Sequence, residues 1–157
     1  MKRVLKRKDG YPDFDTIRKD IIQRYGVKST SVFKVLKEVC PSYRLSCERI
    51  IGIENAMKAI VDKRPVVAKF QLTEKEMDTF RSFFFDKKNV ILTRKDLDIS
   101  RRNGSEELIG HAVVLISYNS KGFRFMNSWG KDWGDMGFFR IKDSDVLDLE
   151  FMDVTAN

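Results

Sequence analysis

The spacing of apolar residues changes its period along the 157-residue chain, and this change constrains the fold more than any other feature. In the first half, apolar residues recur every three or four positions, which is typical of amphipathic helices. In most of the second half they alternate, which is typical of strands. The predicted helices cover a short basic segment around Val4 and Leu5 and residues 17–22, 32–39, 56–61 and 73–84. The predicted strands cover residues 65–70, 90–92, 111–118, 122–128, 137–141 and 149–154. Helices followed by antiparallel strands indicate an α+β fold.

Helix caps and turn residues mark where these elements begin and end. The candidate N-caps are Asp13 or Asp15 for one helix and Ser29 or Ser31 for the next, and the candidate stops are Gly10, Gly26 and Pro41. Residues 94–107 are polar and are predicted to form a loop, and residues 120–122 a tight hairpin connection. No repeat or low-complexity segment interrupts this pattern, so the length predicts a single domain.

The net charge of +7 lies entirely in the first third of the chain. Residues 1–50 hold 13 Lys and Arg against 6 Asp and Glu, whereas residues 51–157 hold 17 of each. A basic arm at residues 2–8 could contact phosphates, but no nucleic-acid-binding signature accompanies it. We therefore interpret it as solvated charge and expect no nucleic-acid partner. No apolar run approaches the roughly 18 residues of a membrane span, and residues 1–10 lack the apolar core of a signal peptide.

Cys40 and Cys47 are the only cysteines of the chain, and His111 is its only histidine. Two cysteines are too few for a disulfide framework, and a Cys/His zinc site would need carboxylates to complete it. We therefore predict two ordinary thiols, one or both buried, and neither a metal nor a cofactor. Pairing of the two thiols would require an oxidising compartment.

His111 and Asn127 are the candidate catalytic residues. His111 is predicted to open a strand after a long polar loop, and Asn127 to end the next strand, so a hairpin brings the two side chains together. An amide oxygen can accept a hydrogen bond from an imidazole N–H and so fix its tautomer. That pairing is the base and the orienting member of a nucleophile–base–orienter triad. Trp129, directly downstream, could cover the bond and exclude water, and Trp133 could add a second apolar wall.

Three segments around these residues, GHAVVLISY, FRFMNSWG and KDWGDMGFFRI, resemble the papain-like cysteine peptidases. That family's pattern is a His-Ala-Val strand, then Asn-Ser-Trp-Gly, Trp-Gly and Gly-aromatic-x-Arg-Ile. The clear match covers residues 109–142, and a weaker one, AMKAIVDKRPVVAKF, extends it back to about residue 54. The resemblance implies that His111 is the general base and acid, Asn127 its orienter and Trp129 the shield. It also implies that Trp133 lines the leaving-group side of the cleft.

The chain departs from this family at the nucleophile. The family's cysteine lies in a Cys-Gly-Ser-Cys-Trp type sequence at the start of a long helix, whereas Cys40 precedes Pro41 and Cys47 precedes Glu48. Counting back roughly 130 residues from His111 gives a position before Met1, so the expected nucleophile and the oxyanion-hole glutamine lie upstream. Three interpretations follow: a piece of an active peptidase, a nucleophile-free binding or scaffold module, or an altered site that uses Cys40 or Cys47. We favour the first.

The sequence thus predicts one incomplete papain-like domain of α+β class over residues 1–157. Residues 1–53 would form a partial helical lobe, and residues 54–157 a barrel-like antiparallel lobe that carries the site. We expect a polypeptide substrate, no membrane partner, little or no activity of the isolated chain, and self-association through exposed apolar surface. The compartment is predicted as cytoplasmic from these residues, with a lysosomal or secreted location if the N-terminus is truncated.

Overall fold

A computed structural model describes residues 14–26, 31–99 and 104–157. The predicted basic helix around Val4 and Leu5, the arm at residues 2–8 and the candidate caps Asp13 and Ser29 lie outside these residues. The chain divides into two compact units. One unit runs to Arg49 and includes Val154–Asn157, and the other is Ile50–Asp153.

The first unit contains helices α1 (Phe14–Tyr25) and α2 (Val32–Val39), a 3₁₀ turn (Cys40–Tyr43) and most of strand β1 (Leu45–Ile50). Helix α1 ends at Tyr25 and is followed by Gly26, whose φ of +72° is the left-handed conformation that favours glycine after a helix. Ser31 caps α2 by accepting a hydrogen bond from the backbone N–H of Lys34. The two predicted helices are therefore confirmed, whereas β1 was not predicted.

The second unit contains α3 (Ile53–Val61), α4 (Glu74–Asp86) and the one-turn helix α5 (Arg94–Leu97). Helix α4 starts with a reciprocal cap, in which the hydroxyl of Thr73 accepts from the N–H of Glu76 and the carboxylate of Glu76 accepts from the N–H of Thr73. The prediction that residues 94–107 form only a loop is wrong at its start, because α5 uses Leu97 as a buried anchor.

The remaining strands are β2 (Val66–Thr73), β3 (Ile91–Leu92), β4 (Leu108–Asn119), β5 (Gly122–Met126), β6 (Phe138–Ile141) and β7 (Glu150–Ala156). In the second unit, the strands follow the order β7-β2-β4-β5-β6-β3. The fold is α+β as predicted, but the sheet is open, so the expected barrel-like closure is wrong. The β3–β6 pair is parallel, whereas β2, β4, β5, β6 and β7 of this unit pair antiparallel.

The core of the second unit is rich in aromatic rings. Phe80 of α4 packs against several of them, with ring centroids 5.1–5.8 Å away in Phe70, Phe84, Trp129, Trp133 and Phe139. Phe80 is fully buried. These contacts attach α4 to the sheet and to the segment that follows β5, where the predicted site lies.

Among the described residues, no helix has the length and apolar character needed to cross a membrane.

Candidate active site

His111 lies on β4 directly opposite Phe70 of β2. The sequence predicted His111 at the first position of this strand. The strand begins at Leu108 instead, so His111 lies inside it. The rings of His111 and Phe70 lie at a steep angle of 73°, with 5.5 Å between their centroids, and the histidine is half-buried. Pairing on β2 thus fixes the backbone of the histidine, and an aromatic neighbour restricts its ring.

Asn127 follows the last residue of β5, and its backbone N–H donates to the carbonyl of Gly137 over 2.9 Å. Its side-chain Oδ1 lies 2.8 Å from Nε2 of His111 and accepts from the backbone N–H of Ser128, also at 2.8 Å. Because a backbone N–H can only donate, the atom between these two partners is the amide oxygen. Nε2 of His111 therefore donates to Asn127.

This hydrogen bond selects one tautomer of the neutral imidazole. With the proton on Nε2, Nδ1 of His111 carries a lone pair and can accept a proton. In the part of the chain that the structure describes, no hydrogen bond engages Nδ1. The geometry therefore leaves the basic nitrogen available and holds the other one in place.

Trp129 packs on His111 with 4.7 Å between ring centroids and 32° between the ring planes. Such a contact covers part of the imidazole, and a hydrogen bond shielded from water is stronger than one exposed to it. Trp133 meets Trp129 edge-on at 4.9 Å and is only 6% exposed. Its indole N–H donates to the backbone carbonyl of Arg81 over 3.2 Å. Trp133 therefore packs behind Trp129, and its predicted part in lining a cleft stays a prediction.

The two Trp-Gly pairs use glycine for different reasons. Gly130 and Gly134 both have positive φ values, +88° and +61°. A Cβ atom on Gly134 would lie 2.5 Å from the carbonyl oxygen of Phe138, whereas a Cβ atom on Gly130 would meet no atom of the described residues within 4 Å. Gly134 thus permits both the turn and a close backbone approach, and Gly130 permits the turn alone.

Burial is the main influence on the charge of His111. It lowers the pKa of the imidazole below the usual 6.5, because desolvation disfavours the charged form. The hydrogen bond to Asn127 raises this pKa, and the positive charge of Arg81 lowers it. The guanidinium of Arg81 lies over Trp129, with Cζ 5.2 Å from the ring centroid. The sum favours a neutral histidine, which is the form that can act as a base.

Residues 44–152, more than half of the chain, match the model of the papain family cysteine proteases. The chain belongs to this family. A viral cathepsin of Adoxophyes honmai nucleopolyhedrovirus is 45% identical over 38 residues, which cover 22% of this chain and 11% of that protein. A pro-cathepsin H of Medicago truncatula is 31% identical over 98 residues, which cover 59% of this chain and 24% of that protein.

Among solved structures, xylellain, a cysteine protease from Xylella fastidiosa, is 18% identical, with a TM-score of 0.49 over 76% of this chain and 43% of that one. The matched parts therefore span about a tenth to a quarter of these curated relatives and less than half of this solved structure.

The cysteines of this papain-family chain are poorly suited to nucleophilic attack. Cys40 and Cys47 are both buried thiols in the first unit, as predicted for structural cysteines. Burial raises the pKa of the Cys40 thiol, so its reactive thiolate form is disfavoured. Cys47 lies within β1 and is 2% exposed.

Two features of the site were not visible in the sequence. Phe80 was recognised as part of an apolar helix face, but its contacts with both tryptophans were not. Arg81 belongs to no motif and was not singled out, because nothing in the sequence places the polar side of α4 next to a segment nearly fifty residues downstream. The described residues contain no cluster of three or more Cys, His, Asp or Glu side chains suited to a metal.

Proposed function

We propose that this chain supplies the general base and its orienting residue to a papain-like cysteine peptidase that hydrolyses polypeptides. His111 is the base and Asn127 the orienter. The observation that carries the proposal is the 2.8 Å contact between Nε2 of His111 and Oδ1 of Asn127 beside the indole of Trp129.

The reaction uses the free nitrogen of the imidazole. Nδ1 of His111 takes the proton of a cysteine thiol, and the thiolate attacks the peptide carbonyl carbon. The imidazolium then gives that proton to the leaving amine, which departs as the carbon–nitrogen bond breaks. Water hydrolyses the resulting thioester and regenerates the thiol. Throughout, Oδ1 of Asn127 accepts from Nε2–H and keeps Nδ1 directed at the reacting atoms.

The thiol of this reaction is provided by polypeptide outside residues 1–157. Two observations support this assignment: neither cysteine has the sequence context of the family's nucleophile, and both are buried in the first unit. The chain is then one part of a peptidase domain, with a polypeptide as its substrate.

A second candidate function is a nucleophile-free binding module, in which the surface around His111 and Trp129 holds a peptide without cleaving it. The two cysteines favour this alternative, because both are buried and neither has the sequence context of the family's nucleophile, so the imidazole has no thiol to activate within this chain. In this case the chain would bind peptides but would show no covalent chemistry.

A peptide carrying a thiol-reactive electrophile tests both functions. We expect the protein isolated from its natural source to be labelled at a cysteine outside residues 1–157, and the label to be lost in His111→Gln. The 157-residue chain alone should not be labelled, with Cys40→Ser and Cys47→Ser as controls. Labelling of Cys40 or Cys47 that requires His111 would contradict both functions. If the protein from its natural source binds the peptide reversibly and no cysteine is labelled, the binding module is supported.

A further inference from the structure

The side chain of Arg81 occupies an unexpected place for a surface residue of α4. It is 54% exposed and forms an ion pair of 3.0 Å with Asp78, three residues earlier on the same helix. An exposed ion pair of this kind contributes little to stability, so it does not account for the position of the guanidinium. The guanidinium also lies over the ring of Trp129, with Cζ 5.2 Å from the ring centroid.

The backbone of the same residue holds the second tryptophan. The carbonyl of Arg81 accepts the indole N–H of Trp133 over 3.2 Å, and Trp133 meets Trp129 at 4.9 Å. Next to Arg81 in the chain, Phe80 contacts both indoles. One turn of α4 thus supports Trp129 in three ways. The guanidinium of Arg81 and the ring of Phe80 contact it directly. The carbonyl of Arg81 binds Trp133, which packs against Trp129.

The geometry points to Arg81 as a positioning residue of the site. Its guanidinium holds Trp129 against the His111–Asn127 pair by a cation–π contact and places a positive charge near the imidazole. Any effect of Arg81 on catalysis rests on the proposed function, whereas its position over Trp129 does not.

The charge of Arg81 lowers the pKa of His111, although burial lowers it more. The elements packed around the histidine carry several charged residues: Lys69 on β2, Arg124 on β5, and Glu74, Lys75, Glu76, Asp78, Arg81 and Asp86 on α4. Among these described residues, Arg81 is the one whose charge acts on the pKa of the imidazole. A nearby positive charge disfavours a second one. Arg81 therefore keeps His111 neutral to a lower pH and disfavours the imidazolium form.

Proton NMR of the 157-residue chain tests this role directly, because the single histidine gives one Cε1–H resonance to titrate. Arg81→Gln should raise the pKa of His111, because it removes a positive charge that disfavours the imidazolium. Arg81→Lys retains the charge and should leave this pKa close to that of the wild type. Both variants should move the resonance of the neutral form, because the guanidinium no longer holds the Trp129 ring.

Lys75→Gln is the matched control, since it removes one positive charge from an exposed position on the same helix. It should change neither the pKa nor the limiting resonance position of His111. An unchanged pKa in Arg81→Gln, or an equal change in Lys75→Gln, would overturn the role of the charge. An unchanged resonance position in both Arg81 variants would overturn the positioning of Trp129.

Salt provides a second measurement that needs no variant. Added salt screens the repulsion between Arg81 and the imidazolium, so the pKa of His111 in the wild-type chain should rise with ionic strength. A pKa that does not change with salt would contradict the proposal even if Arg81→Gln failed to fold. Because no thiol is needed in these titrations, failure of the peptidase proposal would leave their result intact.

Discussion

Asn127 shows how a single amide can determine the chemistry of its neighbour. Its oxygen accepts from two donors, Nε2 of His111 and the N–H of Ser128. Its nitrogen Nδ2 is buried and has no hydrogen-bond partner within residues 14–26, 31–99 and 104–157. An unpaired buried donor costs stability. The amide is therefore held in this orientation by what its oxygen binds.

Removing this oxygen should change the titration of His111. In Asn127→Leu the side chain keeps its approximate volume but loses the acceptor. We expect the pKa of His111 to fall, because the hydrogen bond to Asn127 raises it in the native chain. The measurement is again the titration of the single histidine resonance.

Asn119→Leu provides the comparison for that variant. Asn119 accepts the backbone N–H of Lys121 at the β4–β5 turn, so the same substitution there removes a hydrogen bond without touching the imidazole. The pKa of His111 should stay at its native value in this variant. A rise of the pKa in Asn127→Leu would show that the amide does not stabilise the protonated ring.

At the scale of elements, the N-terminus of α4 determines how firmly the helix presents Phe80 and Arg81. Thr73 ends β2 and caps α4, so one residue joins the strand opposite His111 to the helix that supports the tryptophans. Thr73 and Glu76 are both buried, at 5% and 6% exposure. Their reciprocal bonds satisfy backbone donors that water cannot easily reach.

Thr73→Ala should lower the free energy of unfolding by about 1 kcal/mol or somewhat more, the typical cost of losing an N-cap. Urea denaturation followed by far-ultraviolet circular dichroism measures this change. Thr79→Ala is the control on the same helix, where the hydroxyl only donates to the carbonyl of Lys75. That variant should stay within about 0.5 kcal/mol of the wild type. Equal losses in the two variants would contradict a special role of the cap.

The elements with strong periodicity were predicted well from the sequence. Helices α1 to α4 and strands β2, β4, β5, β6 and β7 were all expected, because their apolar stripes are long enough to show a period. Strand β3 was also expected, as the short extended segment 90–92. Strand β1 was missed because only Leu45 and Cys47 alternate before Glu48 and Arg49 interrupt the pattern. Helix α5 has a single buried residue, Leu97, and therefore no period.

Pairing between elements that are distant in the chain was harder to predict from the sequence. The parallel β3–β6 pair joins two short strands about fifty residues apart, and no local residue pattern specifies such a partner. The prediction that His111 and Asn127 lie close together needed only one hairpin, and a hairpin is a local feature of the sequence. The contact of Arg81 with Trp129 depends on how α4 packs on the sheet, and packing of this kind is not encoded in spacing alone.

For the whole molecule, the state of His111 links the site to folding. The pKa of His111 is lowered in the folded chain relative to the usual 6.5, so the unfolded chain binds more protons between these two values. The contribution of His111 to stability is therefore fully present above about pH 6.5 and is lost as the pH falls through the folded value.

A comparison of the wild type with His111→Gln isolates this contribution. When the pH falls from about 8 to about 5, the wild type should lose more unfolding free energy than His111→Gln does. Urea denaturation at several pH values measures it, and other titrating groups cancel because both proteins contain them. If the wild type instead becomes more stable relative to His111→Gln at low pH, the folded state stabilises the imidazolium.

The pairing of Trp129 with Trp133 has a consequence for optical spectroscopy. These are the only tryptophans of the chain, and their rings lie 4.9 Å apart and nearly perpendicular. All indole emission therefore originates beside His111, and the two chromophores are close enough to share excitation. Protonation of the imidazole would therefore change an intrinsic optical signal of the chain, without any label.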